Sequence, residues 1–251
     1  MKNILITGMS GLIGSILRRH FEKLGGYKIS GLNRTPVRGV DIFPADITNL
    51  ELIKPAFTGK DIVIHLAANI TDQDSWESRL STNIIGTYNV LEAARLAQVK
   101  RVIFASSGAV TQGYESIFPY NSIIEGKYDD VPDIYDKVTH NVTWPKGLYG
   151  ATKVCGEAIG RHFSDFYDMS ILCVRIGRVN KANRPESAID YPRFLSHKDI
   201  SQFFERCVEA PKNLKYDIFY ATSNNKWGYR DLEHPRTVLG YKPIDSAEDF
   251  A

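Results

Sequence analysis

Short blocks of consecutive apolar residues alternate along the first two thirds of the chain with stretches whose apolar positions recur every three or four residues. The blocks at 2–7, 27–32, 40–43, 61–66 and 101–105 are rich in Ile and Val and bounded by turn residues, the pattern of short buried strands. Between them the spacing is helical. It begins with Leu12, Ile13, Ile16 and Leu17, and is clearest over 78–97, where Ile84, Tyr88, Leu91 and Ala94 fall on one predicted face. Repeated strand–helix units with short links predict an α/β fold, a doubly wound parallel sheet with helices on both faces that binds its ligand at the carboxyl ends of the strands. The rhythm breaks at 113–147, which carries Pro119, Pro132, Pro145 and many aromatic residues without a sustained period. An aromatic segment of this kind reads as an ordered wall or lid over the site.

The first strand runs directly into Gly8-Met9-Ser10-Gly11-Leu12-Ile13-Gly14. A backbone that turns sharply beside two phosphates and packs its helix on its own strand leaves no room for Cβ atoms at those points. Gly8, Gly11 and Gly14 meet that demand, and the unpaired N–H groups of the following helical turn face an anion. The element is a Rossmann-type dinucleotide site, with Ser10, Leu12 and Ile13 as its other expected contacts.

Composition narrows the partners. A net charge of +2 gives no ground for a nucleic-acid or membrane partner, and no apolar run approaches the ~20 residues of a membrane span. With Met1-Lys2-Asn3 leading straight into a strand, no signal peptide is read, and a cytoplasmic location is expected. Cys155, Cys173 and Cys207 are odd in number and widely spaced, so buried reduced thiols are expected. The six histidines show no ligand spacing, and no metal site is predicted.

Two further groups carry chemistry. Tyr149 and Lys153 stand at i and i+4 of a predicted helix, so the ammonium lies near the phenol and lowers its pKa toward a general base's working range. Ser106-Ser107-Gly108 ends the fifth strand at the same sheet edge as the glycine turn. Ser107 is read as the hydroxyl that binds a substrate oxygen, and Ser106 as the cap of the following turn.

With these residues in place the chain resembles the extended short-chain dehydrogenase/reductases, the NAD-dependent epimerase/dehydratase family. The match spans most of 1–177: the glycine motif, Asp46-Ile47-Thr48, His65-Leu66-Ala67-Ala68, Asn83-Ile84-Ile85-Gly86-Thr87, Ser106-Ser107, and Tyr149 with Lys153. The resemblance implies Tyr149 as acid/base, Lys153 as the residue that tunes it and holds the nicotinamide ribose, and Ser107 as the third catalytic member. It also implies Asp46 and Ile47 beside the adenine, Leu66, Ala67 and Ala68 along the cofactor groove, and Asn83, Ser106 and Ile176 as further contacts. Residues 1–177 then form the NAD(P)-binding domain, and 178–251 a small substrate-binding region packed on it. A homodimer through the helices carrying Asn83 and Tyr149 is implied too.

The segments Val174-Arg175-Ile176-Gly177, Phe194-Leu195-Ser196-His197-Lys198-Asp199 and Leu239-Gly240-Tyr241-Lys242-Pro243 look like the uronate dehydrogenase group, which oxidises C1 of cyclic sugars. That implies a sugar, sugar acid or sugar phosphate oxidised to a lactone. The alternatives are a nucleotide-sugar epimerase or dehydratase, and a non-catalytic NAD(P)-sensing protein. The group carries Asn-His after the catalytic serine and a serine after the glycine of Val-Arg-Ile-Gly, whereas this chain has Gly108-Ala109 and Arg178. Arg178, Arg184 and Arg193 are read as a fork for a substrate carboxylate or phosphate, or, for the last two, as solvated loop residues. Asn33-Arg34 at the end of the second strand replaces the acid that binds the adenosine ribose, which favours NADP over NAD.

Overall fold

The computed structural model describes residues 1–71 and 75–250. In chain order the elements are β1 (Lys2–Thr7), α1 (Leu12–Leu24), β2 (Tyr27–Asn33), β3 (Asp41–Pro44), α2 (Leu50–Ile53), β4 (Ile62–His65), α3 (Trp76–Arg79), α4 (Gly86–Leu96), β5 (Arg101–Ser107), α5 (Tyr120–Glu125), α6 (Gly147–Tyr167), β6 (Ser170–Ile176), α7 (His197–Glu209), β7 (Tyr216–Ala221) and α8 (Glu233–Leu239). The seven strands form one sheet in the order β3-β2-β1-β4-β5-β6-β7, every pair parallel. The order reverses between β1 and β4, and the carboxyl ends at that point open the crevice where an α/β sheet takes its ligand.

The central strands are buried on both faces, which is why they read as continuous apolar runs. One face packs Ile4, Ile6, Ile64 and Ile103 against α1 and α7 through Leu17, Phe21, Phe203 and Phe204. The other packs Leu5, Val63, Val102 and Ile171 against α2, α4 and α6 through Ile53, Val90, Ala94 and Phe163. Residues beyond 177 extend this sheet: β7 pairs along β6, and α7 lies beside α1.

The helix expected over 78–97 starts at Trp76 and contains a wide π-helical turn over Leu80–Ile85. The extra residue in that turn shifts the helical phase, so Leu91 and Ala94 are buried while Tyr88 faces outward with Ile85 and Leu96. The 113–147 segment is not a lid, since none of its residues lines the groove described below. It folds against the C-terminal region through Tyr120, Ile123, Val138, Tyr220 and Tyr229. Of the three free thiols, Cys173 and Cys207 are buried but Cys155 is exposed on α6, because its helical position faces away from the sheet. Among the described residues no helix is long and apolar enough to cross a membrane.

Candidate active site

A groove of about 700 Å³ crosses the carboxyl edge of the sheet. At one end lies the β1–α1 turn. Gly8 has φ +72°, and a Cβ there would meet Ala67 N at 2.8 Å; a Cβ on Gly14 would meet Met9 Cα at 2.6 Å. The turn is therefore pressed onto the 66–68 loop, and α1 onto its own strand, as a close approach to pyrophosphate requires. Gly11 caps α1 without a side-chain hydrogen bond, which leaves the first-turn amides of Leu12 and Ile13 to the groove. Shape and donors fit a dinucleotide.

At the other end β5 delivers Ser107 and α6 delivers Tyr149 and Lys153. The Ser107 side chain lies near enough to the Tyr149 phenol to favour its ionised form, and its oxygen accepts from Ala109 N at 3.1 Å. Ser107 thus caps the turn that follows it, the role expected of Ser106. Lys153 is buried; its Nζ donates to Ala105 O at 2.7 Å and lies 5.7 Å from the centre of the Tyr149 ring. Burial lowers the Lys153 pKa to about 8, against a small raising by Glu157. Burial raises the Tyr149 pKa, opposed by Ser107. The phenol is thus raised by desolvation rather than lowered by Lys153 as expected.

Behind these residues lies a network that the pattern of motifs missed. Ser106 donates to Glu157 Oε1 at 2.5 Å, and Arg175 binds both Glu157 oxygens at 2.9 Å while also reaching Val142 O and the Tyr220 hydroxyl. Arg175 and Glu157 are almost fully buried, and they tie β5, α6, β6 and β7 into one rigid floor. The available signals were Arg175, a charged residue inside the β6 apolar run, and Glu157, a glutamate one helical turn after Lys153 on α6.

The model of the NAD dependent epimerase/dehydratase family matches residues 4–227. The chain belongs to that family. It is 31% identical to an NAD-dependent glucose-6-phosphate dehydrogenase of Haloferax volcanii, covering 98% of this chain and 95% of the relative. An L-arabinose 1-dehydrogenase (NAD(P)(+)) of the same organism is also 31% identical, with 98% of each chain covered. The crystal structure of uronate dehydrogenase from Agrobacterium tumefaciens superposes with a TM-score of 0.84 at 28% identity, over 100% of this chain and 87% of that one.

Most residues expected from the family pattern line the groove: Gly8, Ser10, Gly11, Leu12, Ile13, Gly14, Asn33, Arg34, Asp46, Ile47, Leu66, Ala67, Ala68, Ser106, Ser107, Tyr149, Lys153, Ile176 and Arg178. Asn83 does not. It sits in the π-helical turn, exchanges hydrogen bonds with the Asn69 backbone at 2.7 and 2.9 Å, and reaches Thr152 Oγ1 at 3.1 Å, so it fixes the 66–71 loop to α6. Gly108 is buried behind the groove. The arginine fork is not assembled: Arg178 Nε lies 3.4 Å from Asp190, Arg184 is exposed, and Arg193 turns away to Glu115. Of the three, only Arg178 lines the groove.

His65 is buried between Thr7 Oγ1 at 2.7 Å and Thr87 Oγ1 at 3.2 Å. Desolvation, with Lys153 adding to it, lowers its pKa to about 3, so it is a neutral clamp between β1, β4 and α4. One histidine cluster escaped the sequence because its members are distant in the chain: His140, Asp217 and His234 bring potential ligand atoms within 4.8 Å. The two imidazoles stack at 3.9 Å with 16° between planes, so their in-plane lone pairs run side by side rather than converging on a point.

Proposed function

We propose that this chain is an NAD(P)-dependent dehydrogenase that oxidises the C1 hydroxyl of a cyclic sugar, sugar acid or sugar phosphate to a lactone. The observation that carries the reading is the pair of facing hydroxyls, Ser107 and Tyr149, at the end of a groove whose other end fits a dinucleotide. Relatives named as dehydrogenases of glucose 6-phosphate, arabinose and uronic acids support the substrate class.

The nicotinamide, when bound, supplies the hydride acceptor. Ser107 holds the substrate oxygen, and Tyr149 takes the hydroxyl proton as the C1–H bond breaks and the C1=O bond forms. Burial opposes a phenolate at Tyr149, so its formation needs a compensating charge, and the Lys153 ammonium is the cation within reach. Residues 178–251 serve as the substrate-binding part, with Arg178 at the groove.

NADP is the preferred cofactor in this reading. Asn33 presents an amide where an acid would repel a 2′-phosphate, Arg34 is 81% exposed at the groove, and a hollow of about 500 Å³ beside Ser10 is lined by Arg18, Arg19 and Arg38. The enzyme works in the cytoplasm as a homodimer joined through α4 and α6, whose outward faces carry Tyr88, Leu96, Leu148 and Phe166, with Ile85 just before α4.

The test follows reduced-nicotinamide absorbance with NAD and NADP separately, against uronic acids, neutral aldoses and aldose phosphates. Net reduction of free cofactor with at least one sugar, and greater efficiency with NADP, is expected. Bound cofactor with no net reduction across the panel would overturn the reading in favour of epimerase chemistry.

A further inference from the structure

The reaction above needs a charge on Lys153 that its surroundings work against. The side chain is buried, and its Nζ donates to a neutral acceptor, Ala105 O, at 2.7 Å and lies 4.9 Å from the centre of the Phe104 ring. A buried ammonium tends to shed its proton, and burial brings the Lys153 pKa down to about 8. Tyr149 is pushed the other way, toward its neutral phenol. Left to burial alone, the pair would give up its first proton from Lys153 and keep the one on Tyr149, the reverse of what a base at Tyr149 requires.

One turn along α6 stands the group that opposes this. Glu157 accepts from Arg175 Nε and Nη2 at 2.9 Å and from Ser106 Oγ at 2.5 Å, so it is fixed in place as a carboxylate. Lys153 and Glu157 are drawn onto the same strand because Gly156 lets α6 press against β5: a Cβ there would run into the Phe104 ring. The charge of Glu157 acts on Lys153 and favours its ammonium. Glu157 is ~6 Å of helical rise from Lys153 but ~12 Å from Tyr149, so it favours the ammonium more than it disfavours a phenolate. Arg175 directs its other donor, Nη1, to Val142 O and the Tyr220 hydroxyl. Two further titratable groups close by are uncharged: His65 on β4 is neutral, and burial holds Cys173 on β6 as a thiol.

We propose that Glu157 is a positioning residue of the reaction: its carboxylate places the one proton shared by Lys153 and Tyr149 on Lys153, which leaves Tyr149 as the base. The proposal rests on the reading of Tyr149 as the acid/base and deepens it. Once the pair has lost one proton, two arrangements compete, neutral lysine beside phenol and ammonium beside phenolate. Only the second accepts the substrate's proton at Tyr149. Well below the Lys153 pKa both groups keep their protons, and the active share depends on Tyr149 alone. Above it, that share depends on how the remaining proton is divided. Loss of the Glu157 charge therefore lowers the rate above about pH 8 and spares it at acidic pH.

The test uses the full chain and three variants. Glu157→Gln removes the charge, Glu157→Asp keeps it, and Glu157→Gln combined with Arg175→Met removes both charges and leaves no lone buried ion to unfold the protein. Two quantities are followed against pH. One is the rate of cofactor reduction with a sugar that the substrate panel identifies; the other, without cofactor or sugar, is the carbon NMR signal of Tyr149 Cζ, recognised by its loss in Tyr149→Phe. Glu157→Gln and the double variant are expected to match wild type at acidic pH and to level off about tenfold lower above the Lys153 pKa, the effect of one pKa unit, with less phenolate at Tyr149 there. Glu157→Asp is expected to follow wild type. A rate lowered by one factor at every pH, in the Asp and Gln variants alike, with the Tyr149 titration unmoved, is the mark of a structural role and overturns the proposal. If Glu157→Gln does not fold, the Tyr149 titration of the double variant decides in the same way. Turnover of no sugar removes the dehydrogenase reading, while the Tyr149 signal still decides the role of Glu157. Turnover with an unmoved Tyr149 signal removes that role and leaves the dehydrogenase reading intact.

Discussion

The two ends of the groove are built by opposite means. The dinucleotide end is made by one short stretch, Gly8 to Gly14, whose function lies in the main chain: a positive φ, missing Cβ atoms and free amides. The other end brings Ser107, Tyr149 and Lys153 together from β5 and α6 over the buried Glu157–Arg175 pair, and it is built from side chains. Backbone geometry binds what every member of such a fold shares, and distant side chains set what each member does with it. Three changes bear on that division.

The largest effect is expected where both ends must meet. Tyr149→Phe removes the hydroxyl that faces Ser107 but keeps the ring, so turnover should fall by about 10²–10⁴-fold with cofactor affinity and fold intact. Steady-state rates beside a cofactor titration check it. Unchanged turnover would remove Tyr149 from the chemistry, and lost cofactor binding would mean that the two ends are not separable.

Glu157→Gln should come next, and it acts on stability. The change keeps the shape of the side chain but leaves Arg175, 1% exposed, with a neutral partner. Loss of one member of a buried pair typically costs ~3–5 kcal/mol, read here from urea unfolding. The part of the protein that remains folded should bind dinucleotide normally, because the glycine turn touches none of this network. A loss below ~1 kcal/mol would mean that the pair is far less isolated from solvent than its burial implies.

The same division decides what the sequence reveals. The strands and the glycine turn are legible because they are local: apolar runs give β1, β2, β4 and β5, and Gly8, Gly11 and Gly14 give the turn. Ser107, Tyr149 and Lys153 are legible by their positions at a strand end and at i, i+4 of a helix, and they do come together. Asn83 is misjudged because a π-helical turn redirects its amide toward Asn69 and Thr152. The arginine fork is not assembled because Arg178 is drawn to Asp190 and Arg193 to Glu115, while Arg184 is exposed.

The effect that is smallest near neutral pH belongs to His65 at the dinucleotide end. Its imidazole is buried between two threonine hydroxyls, and desolvation, aided by Lys153, sets its folded pKa at about 3 against 6.5 for the free side chain. Between those values the unfolded chain binds a proton that the folded chain refuses. Stability from this residue is therefore complete above pH 6.5 and is lost as pH falls toward 3, with a slope of up to ~1.4 kcal/mol per pH unit. Comparing urea unfolding of wild type and His65→Asn across that range isolates the term, since carboxylates elsewhere titrate equally in both. The variant should be less stable at pH 7 and show the shallower decline. Equal slopes would mean that water reaches His65 and lets it charge in place, and the clamp joining β1, β4 and α4 beneath the groove would then be a solvated contact rather than part of the buried frame.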